Sequence, residues 1–170
     1  ALERFLASGR KLILVTGREL DELLAIFPAI DRFDCVVAEN GALLYFPKSG
    51  ERELLCEPPP ETFARTLRER GVPIAVGAAI VATVEPYETA VLETIRDLGL
   101  ELQVIFNKGA VMVLPASVNK ATGLAHALTR LGLSAHNVAA IGDAENDHAL
   151  LHTVEYGVAV ANAIPTLKES

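Results

Sequence analysis

One stretch constrains this chain more than any other: Ala139-Ala-Ile-Gly-Asp-Ala-Glu-Asn-Asp-His-Ala-Leu-Leu151. An apolar run from Val138 to Ile141 stops at Gly142, and the apolar pattern resumes at Ala149 to Leu151. Between them stand Asp143 and Asp147, with Asn146 just before the second carboxylate. The pattern predicts a buried strand, a tight turn and the start of a helix. In an open parallel α/β sheet, ligands gather outside the carboxyl ends of the strands. Asp143 would sit at such an end, and Asp147, one helical turn on, would face the same space. Two carboxylates and an amide beside a helix start suit a hard, oxygen-seeking cation such as Mg²⁺. The plainer alternative is an Asp N-cap on a solvated helix. A whole Gly-Asp-x-x-Asn-Asp group after a buried strand favours the metal over that alternative.

The apolar content supports the same fold class. The chain is 51% hydrophobic but only 5% aromatic, with no Trp. Ala, Val, Leu and Ile therefore build the core, as in buried parallel strands covered by helices. The formal net charge of −7 and the lack of a basic run speak against a nucleic-acid partner. No run of 18 apolar residues predicts a membrane span. Cys35 and Cys56 form no C-x-x-C pair, and each is expected to be a buried, reduced thiol in a cytoplasmic protein. The chain opens without Met, inside a helical pattern that carries Leu2, Phe5 and Leu6 on one face. It ends at Ser170, just after another helix starts. Both ends thus read as cut, and missing targeting signals say little about the gene product.

In chain order, a first helix runs from Ala1 to Ser8 and a strand from Lys11 to Val15, which ends in Thr16-Gly17-Arg18. Glu19 to Phe27 reads as a helix and Asp34 to Ala38 as a second buried strand that ends in Glu39-Asn40-Gly41. Leu43 to Phe46 and Glu53 to Cys56 read as a hairpin. Pro58-Pro59-Pro60 marks a change of module. Beyond it come a helix (61–70), one strand from Ile74 to Val84, a helix opened by Pro86, and strands near 102–106 and 111–114. This block carries no acidic pair or glycine-rich turn. It is expected to be an inserted cap, residues 58–115, on a discontinuous core of residues 1–57 and 116–170. Lys120 to Leu131 follows as an amphipathic helix closed by Gly132.

Thr16-Gly17-Arg18 stands at a strand's carboxyl end, where a hydroxyl and free backbone N–H groups can hold a phosphate oxygen; an ordinary βα loop is the alternative. Lys120 opens its helix, where a cation opposes the helix dipole. It is therefore a candidate for neutralising a phosphate and a nearby acid. Asn40-Gly41 is either a plain turn or a ligand contact. His148 and His152 lie four apart but lack the Glu of an H-E-x-x-H motif, so they read as structural or surface residues.

Taken in order, these pieces resemble the haloacid dehalogenase superfamily of phosphatases, and within it the subclass IIB, or Cof-type, group. Leu14-Val-Thr-Gly-Arg18 is similar to the second motif and Glu39-Asn-Gly-Ala42 to the segment after it. Lys120 falls where the third motif has its lysine, and Gly142-Asp-Ala-Glu-Asn-Asp147 is similar to the acidic fourth motif. The resemblance implies a Rossmann-like parallel sheet with an inserted cap. It also implies Mg²⁺-dependent hydrolysis of a small phosphorylated metabolite through an aspartyl-phosphate. Thr16 and Gly17 would hold the phosphate, with Arg18 and Asn40 beside it. Lys120 would neutralise it and orient the carboxylates, and Asp143, Asn146 and Asp147 would form the metal site. The family's first motif, Asp-x-Asp, is absent: the aspartates are Asp21, Asp31, Asp34, Asp97, Asp143 and Asp147, none two residues from another. With it go the nucleophile and the central strand between the Leu12 and Val138 strands, so the chain is expected to be a fragment, inactive alone. Two further readings stay open. One is a non-catalytic domain that binds a phosphate ligand. The other is a phosphomutase, which cap arginines such as Arg65, Arg68 and Arg70 would favour if they faced the site. The sequence does not indicate an oligomeric state.

Overall fold

The computed structural model describes residues 2–107 and 109–168. Ala1, the expected start of the first helix, and Ser170 lie outside them. Helix α1 (Leu2–Ala7) leads into β1 (Ile13–Val15), α2 (Leu20–Ile26) and β2 (Cys35–Ala38). Strands β3 (Leu43–Phe46) and β4 (Glu51–Leu54) then form a hairpin. The four strands make one sheet in the order β1-β2-β3-β4, with β1 and β2 parallel and the rest antiparallel.

The Cys35-Val-Val-Ala38 sequence explains why β2 is central. All four residues are fully buried, as a strand covered on both faces requires. Val36 and Ala38 face Leu20 and Leu23 of α2. Cys35 and Val37 face the other way, with Leu44 and Ala127. Burial pushes the Cys35 thiol up to about 11, so it stays protonated at neutral pH. Cys56, expected to be buried, is only half-buried.

Residues 61–115 build a second sheet. Helix α3 (Glu61–Glu69) precedes β5 (Ala75–Val76) and β6 (Val81–Val84), and α4 (Glu88–Asp97) precedes β7 (Leu102–Asn107) and β8 (Ala110–Pro115). The strand order is β5-β6-β8-β7, all antiparallel. Phe63 and Leu67 of α3 and Val91 of α4 pack on Val81, Val111 and Val113. The single strand expected from Ile74 to Val84 is in fact a hairpin, broken at Gly77 to Ile80, where the Gly77 N–H donates back to the Ile80 carbonyl. The helix expected to open at Pro86 begins instead at Glu88, with Tyr87 at its N-cap.

Helix α5 (Lys120–Leu131) returns to the first sheet; β9 (Ala139–Gly142), α6 (His148–Thr153), β10 (Tyr156–Ala159) and α7 (Pro165–Lys168) complete the chain. Strands β9 and β10 pair in parallel as a two-stranded sheet. Leu124 and Leu128 of α5, with Leu150 of α6, pack on Ile13 and Val15 of β1, on Ala140 of β9 and on Val138 just before it. Yet β1 and β9 do not pair with each other among the described residues. A cleft of about 1460 Å³ runs between them and on under the second sheet, lined by Leu12 to Val15 on one side and Val138 to Gly142 on the other. Ile141, on β9, is 70% exposed. No described helix is long and apolar enough to cross a membrane.

Candidate active site

The site is built where three chain turns meet. The first follows β1. Thr16 donates its N–H to the Val37 carbonyl, and its Oγ1 accepts from the Arg18 N–H at 3.2 Å. That hydrogen bond folds Thr16-Gly17-Arg18 into a compact loop. The Arg18 guanidinium pairs with Glu22, 2.9 Å away, and both residues line the cleft.

The second turn follows β2. Glu39 and Asn40 are both left-handed, at φ 51° and 54°, and both are buried. Non-glycine residues adopt this region at a cost and keep it only where their surroundings over-determine it. Here the Glu39 N–H donates to the Arg18 carbonyl and the Asn40 N–H to the Thr16 carbonyl, which sews the second turn to the first. The Asn40 side chain lies against Gly17.

Helix α5 approaches this turn closely because two glycines face each other. A Cβ on Gly123 would stand 2.5 Å from Gly41 Cα, and one on Gly41 would overlap the Asn119 carbonyl. Asn119 caps the helix, accepting from the Ala121 and Thr122 N–H groups, while Thr122 Oγ1 accepts from the Asn119 N–H. Lys120, the first helical residue, is thereby held inside, 8% exposed.

The third turn follows β9. Lys120 Nζ donates to Asp147 Oδ1 at 2.6 Å and to Asn146 Oδ1 at 3.0 Å. Asp147 Oδ2 accepts from the Asp143 and Ala144 N–H groups at 3.0 and 3.1 Å. Asn146 Nδ2 donates to Asn40 Oδ1 at 3.1 Å, which closes the network onto the second turn. Burial pushes the Asp147 carboxyl up. The Lys120 ammonium and the two backbone donors outweigh that and hold it below the usual carboxylate range.

Thr16, Gly17, Arg18, Lys120, Asp143 and Asp147 all line the one cleft, and Asn146 lines a smaller pocket continuous with Asp143. The fold thus brings Thr16, Gly17, Arg18, Lys120, Asp143, Asn146 and Asp147 together, with Asn40 joined through Asn146. Their situations differ. Both Asp147 oxygens are engaged by Lys120 and by its own loop, and Asn146 is engaged at both ends of its amide. Asp143 is half-buried on the cleft wall. The polar side chains around it, Asn107, Glu145, Asn146 and Asn162, offer oxygen, and among the described residues no His or Cys lines the cleft, which fits a hard cation in kind. Among the described residues no three His, Cys, Asp or Glu side chains converge as a complete metal cage.

Sequence reasoning missed the roof. Ile80, Ala82, Met112 and Asn107 of the second sheet line the cleft opposite Lys120, and Asn40 Nδ2 donates to Met112 Sδ at 3.3 Å. No local pattern marked these residues, because only the antiparallel pairing of β8 with β6 and with β7 brings Met112 beside Ala82 and Asn107 beside Ala110. Arg65 and Arg68 of α3 and Arg70 at its C-terminal cap do not line the cleft: Arg65 pairs with Glu69 and Arg70 with Asp97 on α4. His148 and His152 stack on α6, with ring centroids 6.4 Å apart.

Residues 79–170 match a family model described as haloacid dehalogenase-like hydrolase. Phosphoglycolate phosphatase 2 of Saccharolobus solfataricus is 31% identical over 169 residues, which cover 94% of this chain and 68% of that protein. Phosphoglycolate phosphatase of Methanothermobacter thermautotrophicus is also 31% identical, over 95% of this chain and 75% of its own length. Among solved structures, a haloacid dehalogenase-like hydrolase from Bacteroides thetaiotaomicron superposes with a TM-score of 0.83 at 18% identity, over 99% of this chain and 82% of that one. A subclass IIB sugar phosphatase superposes with a TM-score of 0.75 at 19% identity, over 99% and 80%.

Proposed function

This chain belongs to the haloacid dehalogenase-like hydrolases, as a phosphoric monoester hydrolase, and from that premise we propose that it forms most of a Mg²⁺-dependent phosphatase for a small phosphorylated metabolite. The observation that carries the reading is the joined network Lys120–Asp147–Asn146–Asn40, set against the Thr16-Gly17 loop in one cleft. A buried ammonium ringed by an acid and amides, beside a loop with a hydroxyl and N–H groups, is organised for a dianionic phosphate. Residues 58–115 are the cap, with β6 and β8 as the roof of the site.

Each residue then has a task. The Thr16 hydroxyl and the Gly17 N–H bind phosphate oxygens. Lys120 balances their charge and, through Asp147 and Asn146, fixes the loop that carries Asp143. Asp143 holds the Mg²⁺, and the engaged Asp147 and Asn146 support that loop. The cation, when bound, adds further positive charge beside the phosphate. The nucleophile is an aspartate on a strand that lies outside residues 1–170 and fills the cleft between β1 and β9. Two features support this: the facing edges of β1 and β9, unpaired with each other among the described residues, and the greater length of the relatives.

The roof narrows the substrate. Ile80, Ala82, Val84, Ala110 and Met112 are apolar, and Arg18 is the cation at the loop below them. A two-carbon acid phosphate such as phosphoglycolate, with a carboxylate for Arg18, fits better than a bisphosphate, since Arg65, Arg68 and Arg70 do not line the cleft. The test compares residues 1–170 with a form that carries an upstream Asp-x-Asp strand, assayed with Mg²⁺ against phosphoglycolate and a panel of sugar phosphates. Turnover is expected in the longer form alone, and Asp143→Asn should abolish it. Turnover by residues 1–170 that survives EDTA would overturn the proposal.

A further inference from the structure

Glu39 is fully buried, and among the described residues no Lys or Arg comes within ion-pair distance of its carboxylate. Its partners come from the cap instead. Oε1 accepts from the Ala78 N–H at 3.0 Å, and Oε2 accepts from the Ala79 and Ile80 N–H groups at 2.7 and 3.0 Å. Three backbone dipoles aimed at one carboxylate form a nest of the kind that holds anions. Here the anion belongs to the core and the nest to the cap. An apolar side chain would fill the same space but would not fix the angle of the β5–β6 loop. Three directed hydrogen bonds do.

We propose that Glu39 is a positioning residue, which pins the cap's 77–80 loop to the core and so sets the height of the roof over the phosphate pocket. The inference rests on the phosphatase reading above for its consequence, though not for its geometry. The same residue's N–H holds the Arg18 carbonyl, and the next residue's N–H holds the Thr16 carbonyl. One strained dipeptide is therefore tied to the phosphate loop by its backbone and to the cap by its side chain. Ile80, the last residue of the clasp, itself lines the cleft, and β6 carries Ala82 on from it. Releasing the clasp frees Ile80 and, beyond it, Ala82 on the cleft wall, while the backbone ties of residues 39 and 40 to the phosphate loop stay in place.

The cap side offers an independent handle. Gly77 is pressed against the carboxylate: a Cβ there would stand 2.7 Å from Glu39 Oε1 and 2.7 Å from Glu19 Cγ. Gly77→Ala therefore pries the loop off without removing a buried charge from the core.

The experiment uses the full-length protein, with phosphoglycolate and glucose 6-phosphate as substrates and inorganic phosphate as a competitive probe that does not reach the cap. Glu39→Gln keeps the size but replaces one acceptor oxygen with a donor. KM is expected to rise about tenfold while the inhibition constant of inorganic phosphate stays within twofold. Gly77→Ala should give the same split, and the double variant should be no worse than either single one, because both break one contact. Hydrogen exchange of amides 78–80, measured without substrate, should speed up at least tenfold in both variants. Equal weakening of phosphate and substrate, or unchanged exchange at 78–80, would overturn the proposal. If Glu39→Gln does not fold, Gly77→Ala alone decides. If the wild type turns over no phosphate ester, the phosphatase reading fails, while the exchange measurement still decides whether the clasp exists.

Discussion

At the scale of single residues, the Lys120–Asp147 pair carries the largest share of risk. Both side chains are more than nine-tenths buried. Breaking a buried pair from one side leaves a charge without compensation and typically costs about 3–5 kcal/mol. Asp147 keeps two backbone donors, so Lys120→Met is expected to cost about 3 kcal/mol in urea unfolding. The Lys120→Met/Asp147→Leu double variant should cost clearly less than the two single costs added together, as groups in one network do. Activity separates from stability here: the double variant should remain folded but lose turnover by roughly 10²-fold or more, since the positive charge facing the phosphate is gone. Asp34 gives the pH dependence. Burial pushes its carboxyl up, but Lys48, the Leu12 N–H and Lys11 together hold it below its ordinary value of 3.8. A lowered folded-state value means the stabilisation is complete above 3.8 and disappears as pH falls through the folded value. Asp34→Asn should therefore narrow the stability gap between pH 6 and pH 2.5 by about 1 kcal/mol, read from urea midpoints at the two pH values.

Among the elements, α5 shows how tightly packing and chemistry are joined. Gly123 closes the first turn of α5, where Ala would ordinarily stabilise by up to about 1 kcal/mol. A Cβ there would meet Gly41 Cα at 2.5 Å and Val37 Cγ1 at 2.6 Å. Overpacking against backbone costs about 1–3 kcal/mol, so the clash wins. Gly123→Ala should lower the melting temperature and, because the helix must retreat, should weaken phosphate binding more than it weakens folding. Equilibrium dialysis with inorganic phosphate checks the second part. The helix itself was plain in the sequence, from the leucine spacing and Gly132, and so was the Cys35 strand, from its unbroken apolar run. The break in the Ile74–Val84 segment was not. Its cause is a carboxylate 38 residues upstream of Gly77, and a local pattern of Ile, Val and Ala carries no trace of it. Pro86 was placed in the first helical turn by a local rule, while the helix starts two residues later. Thr16, Lys120 and Asp143 were legible because each stands at the end of a strand or the start of a helix that the pattern defines. The engagement of both Asp147 oxygens was hidden, since spacing reveals that two acids share a space and not which backbone donors claim one of them.

For the whole molecule, the arrangement of pairings along the chain predicts an order of assembly. The cluster of Phe63, Leu67, Val72, Val81, Val91, Val111 and Val113 draws on a single stretch of about fifty residues. The core is different: Val37 and Leu44 meet Ala127, and Ile13 meets Leu124, each across the whole intervening unit. The entropy of closing a loop must be met before its contacts repay it, and distant pairings are correspondingly late. Residues 61–115 should thus gain protection first in pulsed hydrogen exchange during refolding, with the amides of β1 and β2 following as α5 docks. Simultaneous protection of both sheets would contradict this. A nascent chain would then emerge with β1 and β2 waiting, unpacked by α5, until residues 120–131 had left the ribosome. The β1–β2 edge would spend that interval as the part of the molecule most in need of a chaperone.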